Sequence, residues 1–311
     1  MGYVKGLHEI GDGVWAYLQP DGGWGWSNAG LISGADGSSL LVDTLFDLRL
    51  TAEMLEAMRK ATSAAEHITT VVNTHANGDH CYGNALLGGS EIIATTRCAE
   101  EMLQLPPSTM AAMLQSADAL GAAGPFLQTI FSPFSFEDVP LVVPTRTFDE
   151  QLELQVGDRT VSLIEVGPAH TAGDAVVHLV DEGIVFTGDI LFHGGHPIVW
   201  SGPVAHWIAA CDRILALEPT VVIPGHGPVA SPSALVDLKD YFELLTVEAR
   251  IRFDAGLTPL EAARDIDLGP YAGWNEAERV VANVHALYRD FGGQAPSDAL
   301  TLMGEMAILA V

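Results

Sequence analysis

Positive charge is what this sequence has least of. Lys and Arg number 14 against 40 Asp and Glu in 311 residues, a formal net charge of −26 with His neutral. Such a surface repels polyanions, which excludes a general nucleic-acid binder or a polybasic membrane-surface protein, though not a local basic patch, and disfavours nuclease action. Cysteine is scarce too. Cys81, Cys98 and Cys211 are odd in number and lack CxxC spacing, so neither a disulfide framework nor a cysteine-based zinc knuckle is indicated, and all three read as buried small residues. No uninterrupted run of about 18 apolar residues is present to span a membrane. The start, Met1-Gly2-Tyr3-Val4-Lys5-Gly6, lacks the apolar stretch of a secretory signal, and the expectation is a cytoplasmic protein with no membrane partner. Three catalytic signatures are missing as well: GxSxG, the phosphate-cradling GxxxxGK and a strand-linked GxGxxG. What is present is 48% hydrophobic residues with only 17% charged, the balance of a globular chain able to bury a large core.

Short strands separated by turns open the chain: Val14 to Leu18, Asn28 to Ser33 and Ser39 to Asp43, punctuated by Asp21-Gly22-Gly23 and Asp36-Gly37. Leu48, Ala52, Leu55 and Met58 recur at helical spacing, and Ile68 to Val72 reads as a β-branched strand. Residues 96–130, broken by Pro106-Pro107 and by Gly121 to Pro125, read as short helices inserted between sheet elements. A second β-rich series follows: Gln151 to Val156, Thr160 to Val166, Ala175 to Val180 and Gly183 to Thr187. Trp207, Ile208, Cys211, Ile214 and Leu215 mark a helix, and Thr220 to Ile223 one more strand. From Ser231 onward the text is helical. Ser231 and Pro232 read as cap and first position, Leu235, Leu238, Phe242, Leu245 and Ala249 share one face, and Asn275-Glu276-Ala277-Glu278 reads as a capping box before a last stripe.

Chemistry concentrates at strand ends. After Val72 comes Asn73-Thr74-His75-Ala76-Asn77-Gly78-Asp79-His80, a polar loop dense in imidazole and carboxylate, the donor types that a borderline ion such as Zn²⁺ accepts. Similar turns recur downstream as Gly167-Pro168-Ala169-His170, Thr187-Gly188-Asp189 and Pro224-Gly225-His226-Gly227, each just past an apolar strand. Separate strand ends delivering His and Asp to one sheet edge can build a site that no single spacing reveals.

This ordered set resembles the metallo-β-lactamase superfamily, whose HxHxDH, His, Asp and His pattern stands here as His75-x-Asn77-x-Asp79-His80, His170, Asp189 and His226. The resemblance covers roughly residues 12–230. It implies an α/β fold, an αββα sandwich over 1–230 with the helical insertion at about 96–130, followed by a mainly helical C-terminal extension over 231–311. It implies metal ligation by His75, Asp79, His80, His170, Asp189 and His226, with Asp189 bridging, and a supporting role behind the ligands for Asp43. One position departs from the pattern. Asn77 stands where the family has its second His, and an amide is a weaker ligand than imidazole, so the expectation is one tight Zn²⁺ held by Asp79, His80 and His226. A second ion is then weak, absent or helped by another residue, and Fe or Mn remain alternatives to zinc.

The chemistry implied is hydrolysis by attack of metal-bound hydroxide, with Asp79 positioning the water or passing on its proton. Trp24 and Trp26, on a glycine-flexible turn, read either as a substrate flap or as a self-packed turn, and His193 and His196, on a glycine-rich loop, either face the substrate or are plain loop histidines. His206 reads as a surface or cap residue, and His8, His67, His178 and His285 as structural. The helical tail resembles that of glyoxalase II-like hydrolases and of bacterial polyketide cyclase/thioesterases. That implies a small-molecule acyl thioester, on coenzyme A or a carrier protein, and no nucleic-acid partner, with cyclisation coupled to cleavage as one variant and a homo-oligomer open. Basic residues of the tail, Lys239, Arg250, Arg252, Arg264, Arg279 and Arg289, are candidates to meet the carrier's phosphate, or are ordinary solvated charges. The alternatives are a lactonase or other ester hydrolase, and a non-catalytic ligand-binding protein on the same fold.

Overall fold

The computed structural model describes residues 3–310. The first sheet and its crossings run β1 (Gly6–Gly11), β2 (Val14–Leu18), β3 (Ala29–Ser33), β4 (Ser39–Val42), α1 (Leu48–Ala61), β5 (Thr70–Val72), α2 (Gly78–Cys81) and β6 (Glu91–Thr95). An insertion of α3 (Thr96–Met102), α4 (Pro107–Gln115) and α5 (Ala123–Phe131) precedes β7 (Arg146–Phe148). The second sheet uses β8 (Gln151–Val156), β9 (Arg159–Glu165), β10 (Ala175–Leu179) and β11 (Ile184–Phe192), then α6 (Val204–Leu215) and β12 (Val221–His226). The chain continues through α7 (Ser233–Asp254), α8 (Pro259–Asp265), α9 (Val280–Asp290) and α10 (Ala299–Leu309). No helix among the described residues is long and apolar enough to cross a membrane.

Strands β1 to β7 lie side by side in chain order, and the other sheet is ordered β12-β11-β10-β9-β8. Side chains alternate across a strand, and the sequence uses both faces. Leu40, Val42, Val72, Val177, Leu179 and Phe186 fill the layer between the sheets, while Leu41, Val71, Val176 and Val185 face outward into the helices. The result is the αββα sandwich. Parallel pairing occurs in β4-β5-β6-β7 and in β11-β12, so Val42, Val72 and the ends of β11 and β12 deliver the chain to loops at one edge.

Helix phase is less legible than helix existence. In α1 the buried residues are Leu50, Thr51, Met54, Leu55 and Met58, so Leu55 and Met58 of the expected stripe are kept while Leu48 is half-buried and Ala52 exposed; Asp47 caps the helix by accepting from Leu50 N at 2.7 Å. Helix α7 buries the expected Leu235, Leu238, Phe242, Leu245 and Ala249 but starts at Ser233, where the Ser231 hydroxyl pairs with that of Ser233 instead of capping. The expected capping box at 275–278 does not form. Glu276 is left-handed at φ 55°, residues Ala277–Arg279 make a short 3-10 turn, and the Glu278 carboxylate is taken by the indole N–H of Trp24 at 2.8 Å.

Candidate metal centre

Four histidines reach the same edge with Nδ1 tied back and Nε2 turned toward one point. His80 Nδ1 donates to Asp43 Oδ2 at 2.9 Å, His170 Nδ1 to Ile198 O at 2.7 Å and His226 Nδ1 to Gly22 O at 3.1 Å. The Thr74 hydroxyl donates to Asp43 Oδ2, which leaves its lone pair to accept from His75 Nδ1 at 3.0 Å. Each Nδ1 is thus committed to an oxygen, so each Nε2 carries the lone pair that a metal requires.

Asp189 is the centre of that ring. Its Oδ2 lies 3.7 Å from His75 Nε2, 3.3 Å from His170 Nε2 and 3.4 Å from His226 Nε2, and its Oδ1 lies 3.1 Å from His80 Nε2. Asp79 Oδ2 adds a second carboxylate 3.3 Å from His226 Nε2. Donor atoms converge in two sets, His75 with His80 and Asp189, and Asp79 with His80 and His226. His80 belongs to both sets. Despite burial, His75 Nε2, His80 Nε2 and Asp189 Oδ1 have no hydrogen-bond partner among the described residues. Orphaned donor atoms of this kind are rare in an interior, and a divalent cation satisfies all of them at once.

The electrostatics agree. Burial alone depresses an imidazole, yet the carboxylates of Asp189 and Asp79 override it and raise His226 to about 9. His80 is raised in the same way, again against burial, by Asp189, Asp79 and Asp43. Burial opposes ionisation of Asp189, but His226, His80 and His75 hold it well below the ordinary carboxylate range. His75 and His170 are depressed, chiefly by burial, and stay neutral. The site demands positive charge, which a bound cation provides in place of protons.

Asn77 lies beside this ring. Its Nδ2 is 3.0 Å from His170 Nε2, so the amide meets the very lone pair that His170 offers. The turn carrying His170 is tied from behind. Asp174 accepts from Ala169 N, Thr171 N and the Thr171 hydroxyl, and burial raises it to about 8. From helix α3 of the insertion, the Glu101 carboxylate accepts from Ala172 N at 3.0 Å and Gly173 N at 3.2 Å. Gly225 is required by close approach: a Cβ there would sit 1.9 Å from Asp189 Oδ1. Asn28 pins the first hairpin to the last ligand loop through Pro224 O and Gly227 O.

The substrate-pocket candidates separate. Trp24 packs edge-on against Phe126 and Phe131 of α5, and Trp26 lies 4.8 Å from Phe134, so both join an aromatic wall with Phe46 and Phe136. His193 stands at the rim of a crevice with Phe192, His226 and Glu276, its Nδ1 donating to Pro228 O at 2.9 Å. His196 is not brought into the ring of ligands. It is fully buried against Tyr241 and Trp274 of the extension, its Nδ1 3.3 Å from Tyr241 Oη, and burial with the nearby Arg279 charge lowers it to about 4. His206 is exposed in the first turn of α6. The extension also closes one side of the site, through Arg279 Nη1 to His196 O and the pairing of Asn275 with Gly195. No local sequence signal marks that contact, since its partners are far apart in the chain.

Comparison with known proteins gives a consistent picture. The chain is 30% identical to acyl-coenzyme A thioesterase MBLAC2 of Gallus gallus over 94 residues, 28% of this chain and 33% of the relative. It is 22% identical to a linear primary-alkylsulfatase of Pseudomonas sp. across 85% of this chain and 55% of the relative. A hydroxyacylglutathione hydrolase of Erythrobacter litoralis is 26% identical across 48% of this chain and 59% of the relative. The chain therefore spans from a third to somewhat over half of these relatives' lengths. Among solved structures, the sec-alkylsulfatase Pisa1 from Pseudomonas sp. superposes with a TM-score of 0.68 at 18% identity, over 93% of this chain and 50% of that one. A metallo-beta-lactamase family protein from Thermus thermophilus gives 0.65 at 18% identity, over 91% and 95%. These two likenesses show the fold alone. The model of the metallo-beta-lactamase superfamily matches from residue 22, in the hairpin that overhangs the metal centre, to residue 226, its last histidine, and the chain belongs to that superfamily.

Proposed function

We propose that the protein is a metal-dependent hydrolase that cleaves thioesters of bulky, apolar acyl groups. The observation that carries the hydrolase reading is the convergence of His75, His80, His170 and His226 Nε2 on Asp189, with His75 Nε2, His80 Nε2 and Asp189 Oδ1 buried without a hydrogen-bond partner among the described residues. These residues and Asp79 would hold a divalent ion, zinc being the one that this donor set suits best. Such an ion supplies an activated water at neutral pH and polarises the scissile carbonyl.

The chain's own residues do the rest. Asp79 is buried, which opposes ionisation, but His80 and His226 lower it, so its carboxylate stays charged and able to orient water and take its proton. The aromatic wall of Trp24, Trp26, Phe46, Phe131 and Phe134 supports an apolar acyl group and excludes water from one side. The printed names of two relatives, an acyl-coenzyme A thioesterase and a hydroxyacylglutathione hydrolase, favour thioesters. A sulfate ester is the second reading, favoured by the alkylsulfatase relative because it covers 85% of this chain, extension included.

The test is elemental analysis of the purified protein, followed by turnover of an aryl thioester, a lactone and an alkyl sulfate by the same metal-loaded sample. Thioester preference, lost in Asp79→Asn with metal retained, supports the proposal. Preference for the sulfate ester would transfer it to the second reading, and a protein that takes up no zinc, iron or manganese would end both.

A further inference from the structure

One buried charge is left unused by that reading. Arg279, just before α9, is 1% exposed, yet no carboxylate lies within ion-pairing distance of it among the described residues. Its guanidinium carbon lies 4.3 Å from the ring centre of Trp24 and 5.1 Å from that of Phe192. Phe192 in turn stacks on the ligand His226, with ring planes 10° apart. Nη1 donates to His196 O at 3.0 Å, while Nε and Nη2 have no acceptor among the described residues. Glu278 is engaged by Trp24, and Glu276, held above its ordinary range chiefly by burial, acts only at longer range.

A buried guanidinium with no counter-charge in contact is costly unless something else completes it. The Nε and Nη2 side is the one that grips a carboxylate or similar oxyanion through two parallel N–H···O bonds. The aromatic packing on Trp24 and Phe192 fixes that fork in place, with Phe192 between it and His226. We propose that Arg279 is the anion-recognition residue of the substrate site, its Nε and Nη2 edge binding an oxyanion carried by the substrate while the scissile group lies at the metal centre. This rests on the hydrolase reading and adds a substrate class, acyl compounds that bear a second, negatively charged group.

The first measurement uses the metal-loaded protein and tryptophan fluorescence, since Trp24 packs on the guanidinium. Sodium succinate and sodium sulfate are titrated separately at ionic strength held constant with chloride. Succinate is expected to give a saturable change that Trp24→Phe removes and that Arg279→Lys weakens about tenfold, because an ammonium lacks the planar fork. The second measurement compares the S-phenyl monothioester of succinate with S-phenyl thiobutyrate, which lacks the charge. The ratio of their kcat/KM values is expected to favour the charged substrate and to fall about tenfold in Arg279→Lys. A wild-type protein without a saturable response overturns the proposal, whether or not the Arg279 variant folds. So does a response to sulfate alone with no preference between thioesters, which marks a free inorganic oxyanion as the ligand. Saturable binding with no turnover of either thioester would instead overturn the hydrolase reading.

Discussion

Asp43 shows how one residue can set two ligands. Its carboxylate accepts from His80 Nδ1 directly and, through the Thr74 hydroxyl, fixes the His75 ring as well. Such supporting contacts commonly change metal affinity by about 10–100-fold. Asp43→Asn is therefore expected to weaken metal binding by about that factor, read by competition with a chromophoric chelator, because the amide NH2 would face a donor, either the Thr74 N–H or the His80 Nδ1–H. Asn77 makes the opposite case. Its amide meets the His170 lone pair at 3.0 Å, so Asn77→His is expected to raise the metal content of the purified protein from about one ion per chain toward two. Unchanged stoichiometry would mean that His170 is limited by something other than residue 77. The candidate ligand positions were legible as His and Asp turns beside apolar strands, although the strand expected to stop at Thr187 runs on to Phe192, so Asp189 lies within β11, and His226 closes β12. Thr74, Asp174 and Glu101 were not, since Thr and acidic residues are common in loops and only the folded chain shows what they hold.

At the scale of elements, the insertion and the extension brace the centre from two sides. Helix α3 braces the His170 turn through Glu101, which accepts backbone N–H groups of Ala172 and Gly173, beside the close packing of its Cys98 backbone on Gly173. Loss of these charge-assisted bonds in Glu101→Ala is expected to lower stability by about 2 kcal/mol in urea unfolding, with weaker metal retention. Conservative Glu101→Gln, which keeps one acceptor oxygen, should recover part of both. On the other side, His196 is buried against Tyr241 and Trp274, and burial with Arg279 lowers it to about 4. The unfolded chain then binds this proton between pH 6.5 and about 4 while the folded one does not, so stability from this group falls with pH across that window. The full effect is about 3 kcal/mol, and His196→Gln is expected to flatten the acid limb of the stability curve by a comparable amount. Most elements were readable from periodicity, but the short or edge strands β1, β6 and β7 and the helices α8 and α10 were not. Phase was less readable: α1 buries Leu50, Thr51 and Met54 beside the expected Leu55 and Met58, and the segment 275–278 forms no box, with Glu276 left-handed and Glu278 bonded to Trp24.

For the molecule as a whole, the centre concentrates charge where the fold can least tolerate it. Asp43, Asp79 and Asp189 are buried within reach of one another's histidines at the edge of the two sheets, inside a chain already at −26. The sheets fill the layer between them with apolar side chains, and Arg279, on which the Asp189 and Asp79 charges act, belongs to the extension. A bound divalent ion is thus expected to stabilise the folded chain as well as to serve its chemistry. Ligand binding to the native state alone adds about 4 kcal/mol when the free ligand stands at about a thousandfold its Kd. Removal of metal with a chelator, followed by dialysis, is expected to lower the melting temperature by several degrees. Zinc added back should restore it, whereas an equal ionic strength of potassium chloride should not, because screening does not reach buried donors. If the chelated protein melts with the untreated one, the three carboxylates are balanced by protons on His80 and His226, and the convergence of ring nitrogens must be explained without a metal.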